Sequence, residues 1–369
     1  MTLTTETDLA TAITDASGPV RITGGGTRPI AVPKTGAALS VAGLSGITLY
    51  EPGALTLVAK AGTPLAEIEA ALAAENQRLA FEPMDHRGLL GTTGTPTIGG
   101  IVASNTSGPR RVAVGACRDF MLGVRFVDGA GQVIKNGGRV MKNVTGYDLV
   151  KLMTGAYGTL GVLSEVSLKV LPDVETTAAL NVHGLTDAQA VAAMSAALGS
   201  PFEVTGAAHL PGAADGPLTM IRIEGFTQSV AYRAAELEKI LSAFGTVSQL
   251  TRADAMSAWR AVRDVDALAA QDGDLWRISV RPSHAAALVA RLEPQAVQYD
   301  WGGGLIWAVM PAGSDVRVAM AETGGHATLI KGTADVPVFH PENAALAAVS
   351  AGLRAKFDPR GILNTGVMG

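Results

Sequence analysis

Two glycine clusters place backbone amides where they could do chemistry. Gly24-Gly25-Gly26 follows the strand-like Val20-Arg21-Ile22 and leads into Thr27. Gly99-Gly100 follows Pro96-Thr97-Ile98 and leads into Ile101-Val102-Ala103-Ser104, with Gly108 a few residues on. Without a Cβ the main chain can approach a ligand closely, and successive N–H groups at a turn or helix start attract an anion. Phosphate binding is the chemistry such loops support, with a plain turn as the alternative. Pro29 takes the last glycine position of a G-x-G-x-x-G, and no G-x-x-x-x-G-K-[ST] occurs. A Rossmann dinucleotide site and a P-loop are therefore disfavoured, leaving a pyrophosphate held without those spacings.

Side-chain chemistry is sparser. Cys117 is the single cysteine, too few for a disulfide, a four-cysteine zinc site or an iron-sulfur cluster. The six histidines (86, 183, 209, 284, 326, 340) form no pair at metal-ligand spacing. Arg110-Arg111 could grip a carboxylate or phosphate, or lie in a solvated loop. Lys142, Tyr147 and Asp148 form a polar group at a helix start, best read as capping. Trp259, Trp276, Trp301 and Trp307 sit in the second half, with core burial as the expectation.

The elements that must position these groups fall into two styles. Up to Leu171 the chain is loop-rich. Strands are expected at 20–22, 55–60, 120–128, 132–135 and 161–171, with a Gly-rich hairpin turn at Asp128-Gly129-Ala130-Gly131. Helices are expected at 7–16, at 65–75 with Thr63 as N-cap and Pro64 in the first helical position, and at 147–153. Pro172-Asp173-Val174-Glu175 reads as a boundary. Beyond it, strands at 178–182, 203–209, 218–225, 246–250, 275–281 and 296–299 alternate with helices at 187–198, 230–244 and 285–292, which suggests antiparallel sheet backed by helices. A last helix is expected over 342–357.

Composition narrows the function classes. Of 369 residues, 47% are hydrophobic and 44 are glycine, about 12% against a usual share of roughly 7%. Sixteen of those glycines fall between Gly88 and Gly161. Twenty-nine basic against 33 acidic residues, with no basic run, give no footprint for nucleic acid. Met1–Ala16 lacks the basic start of a targeting peptide, and no run of 18 apolar residues appears, so a cytoplasmic chain without a transmembrane segment is expected.

The ordered segments Val20–Thr27, Val58–Leu65, Pro96–Gly100 with Ser104–Gly108, and Gly158–Glu165, together with the late Asp358-Pro359-Arg360-Gly361 and Asn364, resemble the FAD-linked oxidase family related to vanillyl-alcohol oxidase. Ser107–Arg111, Arg118-Asp119-Phe120 and Val140–Asp148 further resemble the FAD-binding E subunits of glycolate oxidase (glycolate dehydrogenase). The resemblance implies an α+β fold: a two-part PCMH-type FAD-binding domain over 1–172, a cap over 173–340, and a segment 341–369 returning to the first domain. It implies that Gly24, Gly25, Gly26 and Thr27 hold the FAD pyrophosphate while Thr97, Gly99, Gly100, Ser104 and Gly108 line the same cofactor. Gly161 and Val162 would lie near the adenine and Asn364 near the isoalloxazine.

Attachment of the FAD is expected to be noncovalent, because Thr27-Arg28 stands where covalent relatives commonly carry histidine. Implied partners are a second flavin subunit and an iron-sulfur subunit, with glycolate, a small 2-hydroxy acid, as substrate and the complex able to bring the chain to the inner membrane surface. One departure matters. Substrate-oxidising relatives carry H-x-G-D-G-N-x-H and a later E-H-G, whereas here Gly324-Gly325-His326 stands alone, so no metal and no catalytic residue is assigned. A subunit that relays electrons or supports the catalytic flavin subunit is thereby favoured over an independent dehydrogenase or an assembly subunit with a structural flavin.

Overall fold

The computed structural model describes residues 3–33, 35–139 and 146–368. Lys142, and the motif residues 140–145 with it, lie outside them. Two antiparallel sheets organise the chain. The first has five strands in the order 47–51, 56–60, 162–169, 121–127, 133–137. The second has eight, in the order 247–249, 176–183, 218–225, 204–210, 296–300, 305–310, 274–279, 326–331. A separate parallel pair joins Val20–Thr23 to Ala37–Ser40.

In the first sheet the hairpin between 121–127 and 133–137 forms because Asp128 Oδ1 accepts from the amides of Ala130 (2.9 Å) and Gln132 (2.8 Å), closing the turn with its own side chain. The helix Leu65–Ala74 lays Leu65, Ile68 and Leu72 against Leu57, Ala59, Val166 and Leu168. Its start departs from the expected capping. Pro64, not Thr63, is the N-cap, with no side-chain bond. The buried Thr63 hydroxyl instead donates to Lys60 O at 2.7 Å and accepts from Gly46 N at 3.0 Å, so it ties two loops together. The short helix begins at Leu149, where Asp148 caps the Lys151 amide at 3.1 Å.

The second sheet is covered on both faces. Helices Asp187–Leu198, Thr227–Leu241 and Pro282–Leu292 cover one face through Ala193, Met194, Leu237, Leu241 and Leu288. Arg252–Asp264 covers part of the other with Ala255, Trp259 and Val262 against Ala179, Ala208 and Met220. That helix and the strand Leu305–Met310 carry no sequence expectation. Every residue of the strand is buried, so the alternation that marks a half-exposed strand is missing. Trp259, Trp276 and Trp307 are buried as expected, while Trp301 is half-buried at the seam between the sheets.

After helix Ala344–Phe357 the chain runs back to the first strand: Val20 N donates to Ile362 O (2.8 Å) and Asn364 N to Val20 O (3.1 Å). The Asp358-Pro359-Arg360-Gly361 sequence has a structural account. The Asp358 carboxylate accepts from Leu363 N at 2.7 Å, and Arg360 donates to the carbonyls of Ile13, Thr14 and Ala16, terminating the helix Glu6–Thr14.

Candidate functional site

A cavity of about 350 Å³ lies where the Val20–Thr23 strand, the loop after it, the helix Ile98–Ala103 and the returning segment meet. Gly24, Gly25, Gly26, Thr27, Thr97, Gly99, Gly100, Ser104, Gly161, Val162 and Asn364 all line it. Gly108 does not. A Cβ there would sit 2.3 Å from Glu82 O, and its carbonyl accepts from Trp301 Nε1 at 3.1 Å, so it belongs to the seam between the sheets.

The glycines are required in different ways. A Cβ on Gly25 would fall 1.5 Å from Thr95 O, and one on Gly24 would meet Thr97 Oγ1 at 2.6 Å, so the loop is pressed against 95–97 backbone first. Gly26 has open space beside it but adopts φ +70°, which disfavours a side chain. Among the described residues, no protein acceptor engages the backbone N–H of Gly24, Gly25, Gly26, Thr27 or Arg28. Five consecutive amides without a partner, in the wall of a cavity, fit the phosphate-bearing part of a dinucleotide.

Around the loop a polar chain sets the far wall. Thr97 caps the helix Ile98–Ala103 by accepting from Gly100 N (3.4 Å). Ser104 Oγ donates to Gly100 O (2.6 Å) and takes a short bond from Arg28, whose Nη2 also donates to His86 Nδ1 at 3.2 Å. A guanidinium can only donate, so the Arg28 contact uses Nδ1 as an acceptor; the same nitrogen also lies 3.4 Å from Met84 O. Burial and the adjacent Arg28 hold this imidazole well below its ordinary pKa. Burial brings the Arg28 guanidinium itself down to about 10. Tyr157, at φ +51°, closes the wall: its N–H donates to Ala103 O (2.8 Å) and its carbonyl accepts from Asn364 Nδ2 (2.7 Å). The other end of Asn364 accepts from Ile22 N at 2.8 Å, so one side chain pins strand, loop and returning segment together.

Arg28, His86 and Tyr157 are absent from the residues expected from sequence. Only Arg28 carried a local signal, as a basic residue directly after a glycine loop. Arg110 is not a solvated loop residue: it is buried and bound to Glu224. Arg111 lies half-buried over Trp301. Cys117 is fully buried, and burial pushes its thiol far up, so it is a packed core residue. His326 is exposed at the start of its strand, and partial desolvation, followed by Arg277, lowers its pKa. Among the described residues, no cluster of three His, Cys, Asp or Glu side chains could hold a metal ion.

Residues 1–137 match the FAD binding domain family. Over 98% of this chain and 73% of the other, the fold superposes on alkyldihydroxyacetonephosphate synthase with a TM-score of 0.72 at 16% identity. The fold is that of the PCMH-type FAD-linked oxidoreductases. The chain is 36% identical to the glycolate oxidase subunit GlcE of Escherichia coli over 91% of its own length and 88% of that protein's. It belongs to the GlcE family of FAD-binding subunits. It is also 41% identical to the glycolate oxidase subunit GlcD of Bacillus subtilis, over 22% of this chain and 17% of that one.

Proposed function

We propose that this chain is the FAD-binding subunit of a multi-subunit complex oxidising glycolate to glyoxylate. The near-full-length likeness to GlcE carries the reading. The second-sheet region 173–340 acts as a cap on a flavin unit made of 1–172 and 341–369. In this reading the amides of Gly24, Gly25, Gly26 and Thr27 hold the pyrophosphate. Thr97, Gly99, Gly100 and Ser104 line the cofactor, Gly161 and Val162 sit at its adenine end, and Asn364 sits toward the isoalloxazine; Gly108 holds the seam. Bound FAD supplies a two-electron acceptor. The chain's residues position it and exclude water, and Cys117, packed in the core with its thiol held protonated, is not available to attach it. With one cysteine this chain cannot itself hold an iron-sulfur cluster, so the reading assigns onward single-electron transfer to an iron-sulfur subunit and substrate oxidation to a GlcD-like flavin subunit. No described helix is long and apolar enough to cross a membrane, which suits a cytoplasmic complex.

The test is purification of the chain alone, followed by its absorbance and by anaerobic addition of glycolate. A yellow chain whose flavin is reduced only in the presence of the other subunits supports the proposal. Reduction by glycolate without partners would overturn the relay role, and a chain with no flavin would overturn the cofactor assignment.

A further inference from the structure

Beside the cavity, toward the second sheet, Arg277 and Arg111 pack on one indole ring, and neither has a carboxylate partner among the described residues. Arg277, on the strand Asp274–Ser279, places its guanidinium 5.1 Å from the Trp301 ring centre and 5.9 Å from that of Trp307. Arg111, from the other side of the seam, lies 4.7 Å from the same Trp301 ring. Arg28 and Tyr157 form the adjoining cavity wall. Among the described residues, no hydrogen bond or ion pair engages the side chain of Arg111 or Arg277, and Arg28 leaves its buried Nε unpartnered.

Other arginines at this seam are handled differently. Arg78, Arg110 and Arg222 are each bonded to Glu82 or Glu224. An unpaired guanidinium held against indole and partly out of water is relieved by an anion that accepts from it. Burial lowers the pKa of Arg277 and Arg28 to about 10 each. The acid coupled to Arg277, Asp300, is itself pushed up to about 8 by burial and therefore supplies little negative charge at neutral pH. Stacking on indole orients a guanidinium fork while leaving its N–H edge free for a planar oxyanion.

We propose that Arg277 and Arg111, gathered against Trp301 beside Arg28 and Tyr157, form a binding site for the carboxylate of a small 2-hydroxy or 2-oxo acid. The acid's class rests on the glycolate reading above; the anion site rests on the arginines. Binding here makes the subunit a sensor or holder of the acid in addition to a flavin carrier.

Trp301 supplies a probe that needs neither flavin nor turnover. The full chain is titrated with oxalate and with glycolate while tryptophan fluorescence is followed, with ethylene glycol as uncharged control. Saturable quenching by the two acids and none by the diol is expected. Arg277→Gln and Arg111→Gln should each weaken oxalate binding about ten- to a hundredfold, the range for loss of a charge-assisted hydrogen bond. Arg277→Lys, which keeps the charge and guards against a folding defect, should retain part of it. No saturable response in the parent protein, or undiminished oxalate affinity in folded Arg277→Gln protein, overturns the site. Flavin content, read separately by absorbance, keeps the two ideas apart: a yellow chain that ignores carboxylates sinks the anion site alone, and a colourless chain that binds oxalate sinks the flavin reading alone.

Discussion

Arg110 and Glu224 meet fork to fork across the seam between the two sheets, with Nε to Oε2 at 2.8 Å and Nη2 to Oε1 at 2.7 Å. Beside them Arg222 holds Glu82 through bonds of 2.8 and 3.0 Å, and Glu82 in turn accepts from the Arg110 amide. The result is a largely buried network to which the first half of the chain contributes Glu82, Arg110 and Arg78 and the second half Arg222 and Glu224.

Removing one partner strands a buried charge, so Arg110→Met or Glu224→Ala should cost about 3–5 kcal/mol in chemical denaturation. Burial opposes ionisation of Glu224 and Glu82, yet the arginines prevail and hold both carboxyls below their ordinary range. A depressed folded-state pKa gives stability that is present above the unfolded value of roughly 4.3 and lost as pH falls below it. The melting temperature should therefore drop steeply below about pH 4 in the parent protein, and less steeply in Glu224→Gln.

The loop glycines separate packing from conformation. Gly25→Ala puts a methyl into Thr95 O and should abolish flavin retention, measured as the absorbance ratio of flavin to protein after gel filtration. Gly26→Ala meets no neighbour and pays only for positive φ, roughly 1 kcal/mol, so it should fold and keep most of its flavin.

Asp300 gives a pH dependence of the opposite sign. Its carboxyl accepts from Trp301 N at 2.7 Å, but burial raises its pKa to about 8. The folded state then holds a proton that the unfolded state releases above roughly pH 4, so this group lowers stability as pH rises from there toward 8. Asp300→Asn keeps the acceptor and removes the titration. Its melting temperature should exceed the parent's at pH 8, and the difference should vanish at pH 4.

Cys117 should resist iodoacetamide in the native protein and react after unfolding, since its thiol is inaccessible and held protonated. Acid precipitation should release all of the flavin into the supernatant; colour retained on the pellet would contradict noncovalent attachment.

What could be read from the sequence follows from how local each requirement is. The Gly24–Gly26 turn and the Thr97–Gly100 helix start are written in consecutive residues, because amides and caps act over a few positions. Gly108 looked alike in sequence, yet its constraint comes from Glu82 and Trp301, far away in the chain. Arg28, Tyr157 and Arg277 matter through what surrounds them, and an arginine's lack of an acid partner exists only after folding. The strand Leu305–Met310 escaped for a related reason: covered on both faces, it shows no alternation to read.

The Asn364 clamp also orders events in time. Its partners, Ile22 and Tyr157, leave the ribosome early, whereas Asn364 emerges only after the entire second sheet has been synthesised. A nascent chain shorter than this residue has the glycine loop but not the clasp that fixes it, so on the proposed reading FAD is retained only once the intervening two hundred residues have been made.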